Sequence, residues 1–144
     1  MIDGVTVQDL VNHGDDRGFF REIIRTTNPA FTGFGQLSHS LVNTGVLKAW
    51  HAHVVQFQWT YMVTGVFSVV LYDHRRESKT FGQSAILRTG EGQRPVVYGF
   101  PPGVLHGYRC LAGPAHVMYV TSGTYDPADE VRIEKDDPSV RYSW

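Results

Sequence analysis

Short apolar runs, some alternating and some continuous, are interrupted every few positions by glycine or proline along most of the chain. WTYMVTGVFSVVLYD (59–73) reads as two β-rich runs meeting at Thr64-Gly65, a hairpin signature. PVVYGF (95–100) is a third strand, stopped by Pro101-Pro102-Gly103. LHGYRCL (105–111) and AHVMYVT (115–121) flank the turn Ala112-Gly113-Pro114 and read as a second hairpin. With a two-residue loop at Ala112-Gly113, Leu111 pairs with Pro114. Counting back then sets His106 opposite Tyr119, within cross-strand reach and on one face of the sheet. Helical periodicity is scarce, and only TTNPAFTGFG (26–35) suggests a short helical turn. Many short strands, Gly/Pro turns and no linker or repeat predict one all-β domain over residues 1–144, a sandwich or small barrel.

One run carries chemistry on its face. KAWHAHVVQ (48–56) sets His51 and His53 two positions apart. In a strand, residues i and i+2 point the same way. Two imidazoles on one face suit either a metal site or a catalytic base with a companion.

Composition narrows the field. The formal net charge of −1 provides no general basic field for a nucleic-acid backbone or an anionic membrane. The lone cysteine, Cys110, allows no intrachain disulfide and fits a reducing compartment. The start, MIDGVTVQDL, lacks a basic region followed by an apolar block, and no run approaches the ~20 apolar residues of a membrane helix. The expectation is a cytoplasmic protein with no nucleic-acid or membrane partner.

The spacing Gly45, His51, His53, Gln58, Gly65 is close to the first cupin motif, with Gln58 where cupins usually carry a glutamate. PPGVLH (101–106) resembles the second motif, PxGxxH. Outside them, DDRGFFRE (15–22), GVLKAWH (45–51), DHRRESKTFG (73–82), FPPGVLHGY (100–108) and YDPADE (125–130) occur in order. Together these resemble the dTDP-4-dehydrorhamnose 3,5-epimerase family, a branch of the cupins, from about residue 13 to Trp144. The resemblance implies a cupin-type jelly roll, usually a homodimer, acting without metal or other cofactor on a 4-keto-6-deoxy sugar nucleotide. It places the base at His51 and the acid at Tyr119. It places substrate contacts at Arg17, Glu22, Gln36, Ser38, Lys48, His53, Gln58, His106 and Glu130.

Three positions depart from the family pattern. Lys48 stands where the family has arginine, keeping the charge but losing the bidentate fork. Gln58 stands where it has an active-site lysine, and His53 where it has glutamine or a similar residue. The family's longer chain also carries a C-terminal aspartate that supports the base, in a segment that would follow Trp144. The base is therefore expected to lack a carboxylate partner, with His53 or His106 bonded to it instead, and to show a lowered pKa.

The chemistry is an enolate chemistry. A 4-keto group acidifies the adjacent C–H bonds, a histidine with an intrinsic pKa of about 6.5 removes a proton, and a phenol returns one on the other face. Three alternatives stay open at this point: a sugar-nucleotide 3,4-ketoisomerase, a metal-dependent cupin using His51, His53, Gln58 and His106, and a non-catalytic sugar-binding cupin. Residues 126–139, charged and turn-like, read as a solvated C-terminal arm with Glu130 its one candidate ligand. Asp73 and Arg75 read as a strand-end salt bridge, and Phe19 and Phe20 as core or dimer contacts.

Overall fold

In the computed structural model, which describes residues 1–144, the regular structure is all strand. The strands are β1 (Thr6–Asp9), β2 (His13–Asp15), β3 (Gly18–Phe20), β4 (Gln36–Val42), β5 (Leu47–His53), β6 (Gln58–Met62), β7 (Val66–Asp73), β8 (Ser84–Gly90), β9 (Val96–Phe100), β10 (Val104–Ala112), β11 (Ala115–Thr121) and β12 (Glu130–Arg132). Two five-stranded antiparallel sheets, β1-β9-β6-β11-β4 and β12-β5-β10-β7-β8, face each other, and β2 and β3 form a separate small hairpin. This is the expected all-β jelly roll. No helix is long and apolar enough to cross a membrane.

The two expected hairpins are sheet crossings instead. β6 lies in the first sheet and β7 in the second, so the chain changes sheet at Thr64-Gly65. β10 and β11 are divided in the same way at Gly113-Pro114. The consequence is a correction of register. His106 pairs with His51 and Leu71, and Tyr119 pairs with Ser38 and Thr60. A tight turn signals that the chain reverses; whether the two strands then bond or diverge depends on which partners bury their faces. The two crossings pack on one another. Gly65 sits at φ +77°, and a Cβ there would lie 2.5 Å from the Ala112 carbonyl oxygen, so only glycine fits.

Period-two alternation fills the space between the sheets. Val42, Met62, Phe67, Val69, Leu71, Tyr98, Phe100, Val104, Cys110 and Val117 point inward and form one cluster. Each such side chain contributes about 1.5–3 kcal/mol on burial. Toward one end the inward rows turn polar. β4 runs Gln36, Ser38, Ser40 before Val42, and β6 runs Gln58, Thr60 before Met62. The apolar half closes the sandwich and the polar half leaves it open.

Two further segments are decided by packing. Residues 126–139 are not a solvated arm: β12 pairs with β5, and Val131, Ile133, Val140, Tyr142 and Trp144 cover Trp50 and Tyr72 on the outer face of the second sheet. Residues 26–35 make hydrogen-bonded turns (Asn28 N–H to Arg25 C=O, Phe31 N–H to Asn28 C=O) and no helix. Phe31 stacks on Trp59. Phe19 and Phe20 are exposed on the β2–β3 hairpin and belong to no core of this chain.

Asp73 and Arg75 do form an ion pair at the end of β7, and it is buried on the acid side. Asp73 is fully enclosed and accepts from Arg75 Nε and Nη2 at 2.8 Å and from Ser78 and Thr80 hydroxyls at 2.6 Å. Burial alone would raise the pKa of this carboxyl, but Arg75, Ser78 and Thr80 outweigh it and hold it far below the usual carboxylate range. Its stabilising contribution is therefore present above about pH 4, the unfolded value, and is lost only in strong acid. Asp73→Asn, which turns an acceptor into a donor facing Arg75, is expected to cost about 2 kcal/mol in urea unfolding at pH 7.

Candidate active site

The polar end of the sandwich is a cavity of about 210 Å³, lined by Ser40, Lys48, His51, Ala52, His53, Gln58, His106, Gly107, Tyr108, Tyr119 and Glu130. Both sheets contribute. β5, β10 and β12 bring Lys48, His51, His53, His106, Tyr108 and Glu130, and β4, β6 and β11 bring Ser40, Gln58 and Tyr119.

A bulge sets the β5 row. His106 faces His51 and Tyr108 faces Lys48, so two steps on β10 match three on β5. The extra residue breaks the period of two, and Lys48 joins His51 and His53 on the cavity face. Trp50 and Ala52 point the other way, under the C-terminal arm. Gly107 lets the strands approach, since a Cβ there would come within 2.7 Å of the Ala49 Cβ.

The three histidines have different surroundings. His51 meets the His106 ring edge-on at 6.0 Å, and His53 stacks on His106 at 5.9 Å. His53 is clamped at both nitrogens: Nδ1 lies 2.9 Å from Asp129 Oδ2 and Nε2 lies 2.9 Å from Gln58 Oε1. Asp129 is itself held by Val54, Val55 and Gln56, whose backbone N–H groups all donate to its Oδ1. Burial would raise the pKa of Asp129, but the N–H groups of Val55 and Gln56 and the His53 ring lower it on balance, so it stays an anion.

The site thus has a carboxylate–histidine pair, on His53 rather than on His51. With both its nitrogens engaged, His53 is not free to support His51 as the sequence led one to expect. Burial pushes the pKa of His51 down, and the charges of Arg132, Lys48 and His53 push it further, against Glu130. Burial beside His53 and His51 also holds His106 well below the usual histidine value. Both shifts favour the neutral ring at His51 and at His106, and a neutral imidazole carries the lone pair a base needs.

His51, His53, Gln58 and His106 are the ligand set of the metal-dependent alternative. No group of three His, Cys, Asp or Glu side chains is placed to hold an ion. His53 turns its ring nitrogens to two acceptor oxygens, Asp129 Oδ2 and Gln58 Oε1, and the Gln58 amide N–H donates to the Thr60 hydroxyl at 3.0 Å.

Of the other expected contacts, Lys48, Gln58, His106 and Glu130 line the cavity and Arg17, Glu22, Gln36 and Ser38 do not. Arg17 is exposed on the β2–β3 hairpin and paired with Asp15. Glu22 is exposed and lies 3.5 Å from Arg25. Gln36 bonds Ser38 Oγ at 2.8 Å and accepts from the Tyr125 N–H, so it anchors a loop. Glu130 accepts from Arg132 at 2.9 Å at the edge of the cavity.

The sequence reading missed three residues. Ser40 and Tyr108 were within reach, because each stands two positions from a residue already named, Ser38 and His106, and so shares its face. Tyr108 Oη lies 2.8 Å from Tyr119 Oη, across the gap between the sheets. Asp129 had no local signal, because it caps residues 54–56, which are more than seventy positions away.

Comparison with known proteins agrees with this architecture. The family model described as dTDP-4-dehydrorhamnose 3,5-epimerase matches residues 1–144. The chain is 43% identical over 147 residues to the spore coat polysaccharide biosynthesis protein SpsL of Bacillus subtilis, covering 100% of this chain and 97% of that one. The solved dTDP sugar isomerase from Desulfovibrio desulfuricans G20 superimposes with a TM-score of 0.90 at 27% identity, over 99% of this chain and 92% of that one. The 3,5-epimerase from Legionella pneumophila Philadelphia 1, solved in complex with dTDP-4-keto-L-rhamnose, gives 0.88 at 28% identity, over 99% and 79%. The chain belongs to the dTDP-4-dehydrorhamnose 3,5-epimerase family, a family of isomerase-class enzymes.

Proposed function

We propose that the chain epimerises a nucleotide-diphosphate 4-keto-6-deoxyhexose by acid–base chemistry, using its own side chains and no cofactor. The observation that carries this reading is that His51 and Tyr119 line one cavity from opposite sheets. A sugar ring held between them offers one face to each. His51 takes the proton from a carbon beside the ketone, the C–H pair moves into the ring, and the carbonyl oxygen becomes the enolate oxygen. Tyr119 then gives its proton to that carbon from the other side, inverting it, and solvent restores both groups. Lys48 is the cavity cation without an ion pair and is suited to the enolate oxygen. Gln58, held by His53 and Thr60, is less free to turn toward it.

Arg17 and Glu22 on the exposed hairpin are proposed as nucleotide contacts in an assembled homodimer. The exposed Phe19, Phe20, Leu37 and Leu41 support assembly. A cytoplasmic site of action fits the single reduced cysteine.

The test is incubation with dTDP-4-keto-6-deoxyglucose in D₂O, followed by proton NMR. Deuterium appears at C3, C5 or both, with inversion. A carbonyl that moves to C3 replaces this reading by ketoisomerisation, and tight binding without exchange replaces it by a binding role. In Tyr119→Phe, inversion is expected to fall ~10²-fold or more while deuterium still enters at the carbon that His51 deprotonates.

A further inference from the structure

Tyr108 belongs to two environments at once. Its ring is 5% exposed and packs edge-on against Phe67, with ring centroids 5.3 Å apart and planes at 87°. Its hydroxyl reaches the cavity wall, where its one hydrogen bond is to Tyr119 Oη at 2.8 Å. The partners come from different sheets, Tyr108 from β10 and Tyr119 from β11. The short chain crossing at Gly113-Pro114 brings these two strands to face each other rather than to pair.

Two hydroxyls this close share one O–H···O bond, and one of them must donate. A buried phenol with no other partner donates to the one it has, because an unbonded O–H in that position costs about 1–3 kcal/mol. Tyr119 lies at the open side and has the cavity to donate into. Burial and the neighbouring Tyr119 raise the pKa of Tyr108 above that of an ordinary phenol, so its proton stays in place across the working range.

We propose that Tyr108 is a positioning residue for the acid: its hydroxyl donates to Tyr119 Oη, turns the Tyr119 proton into the cavity, and stabilises the Tyr119 phenolate left when that proton is given to carbon. This rests on the reading of Tyr119 as the acid. Before transfer the Tyr108–Tyr119 bond is neutral. Afterwards the acceptor carries a full negative charge, and a charge-assisted bond is about twice as strong as a neutral one. The gain arises only as charge develops, which is the condition for an interaction to accelerate a step. Tyr108 is not a route for the proton itself, since the one hydrogen bond of its hydroxyl leads back to Tyr119.

The experiment uses the whole chain with dTDP-4-keto-6-deoxyglucose in D₂O and measures two rates, deuterium wash-in and net inversion. Tyr108→Phe keeps the ring against Phe67 and removes only the donor. Inversion is expected to fall about tenfold or more while wash-in at the carbon served by His51 stays near wild type, so the ratio of wash-in to inversion rises. Tyr108→Phe combined with Tyr119→Phe is expected to be no slower than Tyr119→Phe alone. Equal loss of both rates in Tyr108→Phe, or an unchanged ratio, overturns the proposal. If Tyr119→Phe leaves inversion intact, it is the assignment of the acid that has failed. Should Tyr108→Phe not fold, 3-fluorotyrosine at position 108 keeps the packing and strengthens the donor. The ratio then drops below wild type if the proposal holds and stays level if it does not.

Discussion

His51→Ala abolishes turnover and solvent deuterium wash-in together, a loss of ~10²–10⁴-fold or more for a positioned general base. Both rates vanish because the proton must leave carbon before anything else happens. This separates His51 from Tyr119, whose removal leaves the first half-reaction in place. The pH dependence follows from the surroundings of His51. Burial, then Arg132, Lys48 and His53, lower its pKa, with Glu130 opposing. A base works only when unprotonated, so wash-in falls as pH drops through that lowered value, below the ~6.5 of a free histidine. A profile of wash-in against pH is expected to stay flat through pH 7 and to fall on the acid side of the ordinary histidine range. An alanine variant that exchanges at the wild-type rate would place the base elsewhere.

Asp129→Ala is expected to lose about 3 kcal/mol of stability, and turnover with it. One carboxylate satisfies the N–H groups of Val54, Val55 and Gln56 and fixes the His53 ring. Its removal takes the acceptor from the Val55 and Gln56 N–H groups, while Val54 N–H keeps the Asp129 carbonyl oxygen, and it frees His53 to turn, which also releases Gln58. The variant is expected to unfold earlier in urea at pH 7. The folded pKa of Asp129 is lowered, so its contribution is present above the unfolded value near 4 and is lost as pH falls through the folded one. Wild type and variant therefore converge in acid. Asp129→Asn keeps one acceptor and is expected to fall between them, and a variant as stable as wild type at pH 7 would show that water replaces the carboxylate without cost.

His51, His53, Gln58, His106 and Tyr119, which all line the cavity, are readable as candidate site residues from the sequence. Period two puts the histidines on one face, and the ordered motifs resemble one family. The partners of those residues were not readable in the same way. His106 and Tyr119 do share a cavity, but not as neighbours in a hairpin: they reach it from different sheets. Lys48 is on the cavity face because β5 bulges, and a bulge is a feature of the pair of strands, not of either one.

Local sequence could therefore settle what depends on adjacent residues: where strands run, where the chain turns, which side chains share a face, and that the chain is all-β. Alternation and turn chemistry act over a few positions, so they are written in the order of residues. The fate of each turn, hairpin or crossing, was left to the burial of both faces of strands far apart in the chain. The same holds for the C-terminal arm, whose charges suggest solvent but whose Val131, Ile133, Tyr142 and Trp144 are drawn onto Trp50. It holds most for the carboxylate of the site. Asp129 finds His53 because β12 pairs with β5 and brings the loop before it against residues 54–56. A single charged side chain closing a contact over that distance leaves no period or spacing behind, and only the folded chain brings donor and acceptor together.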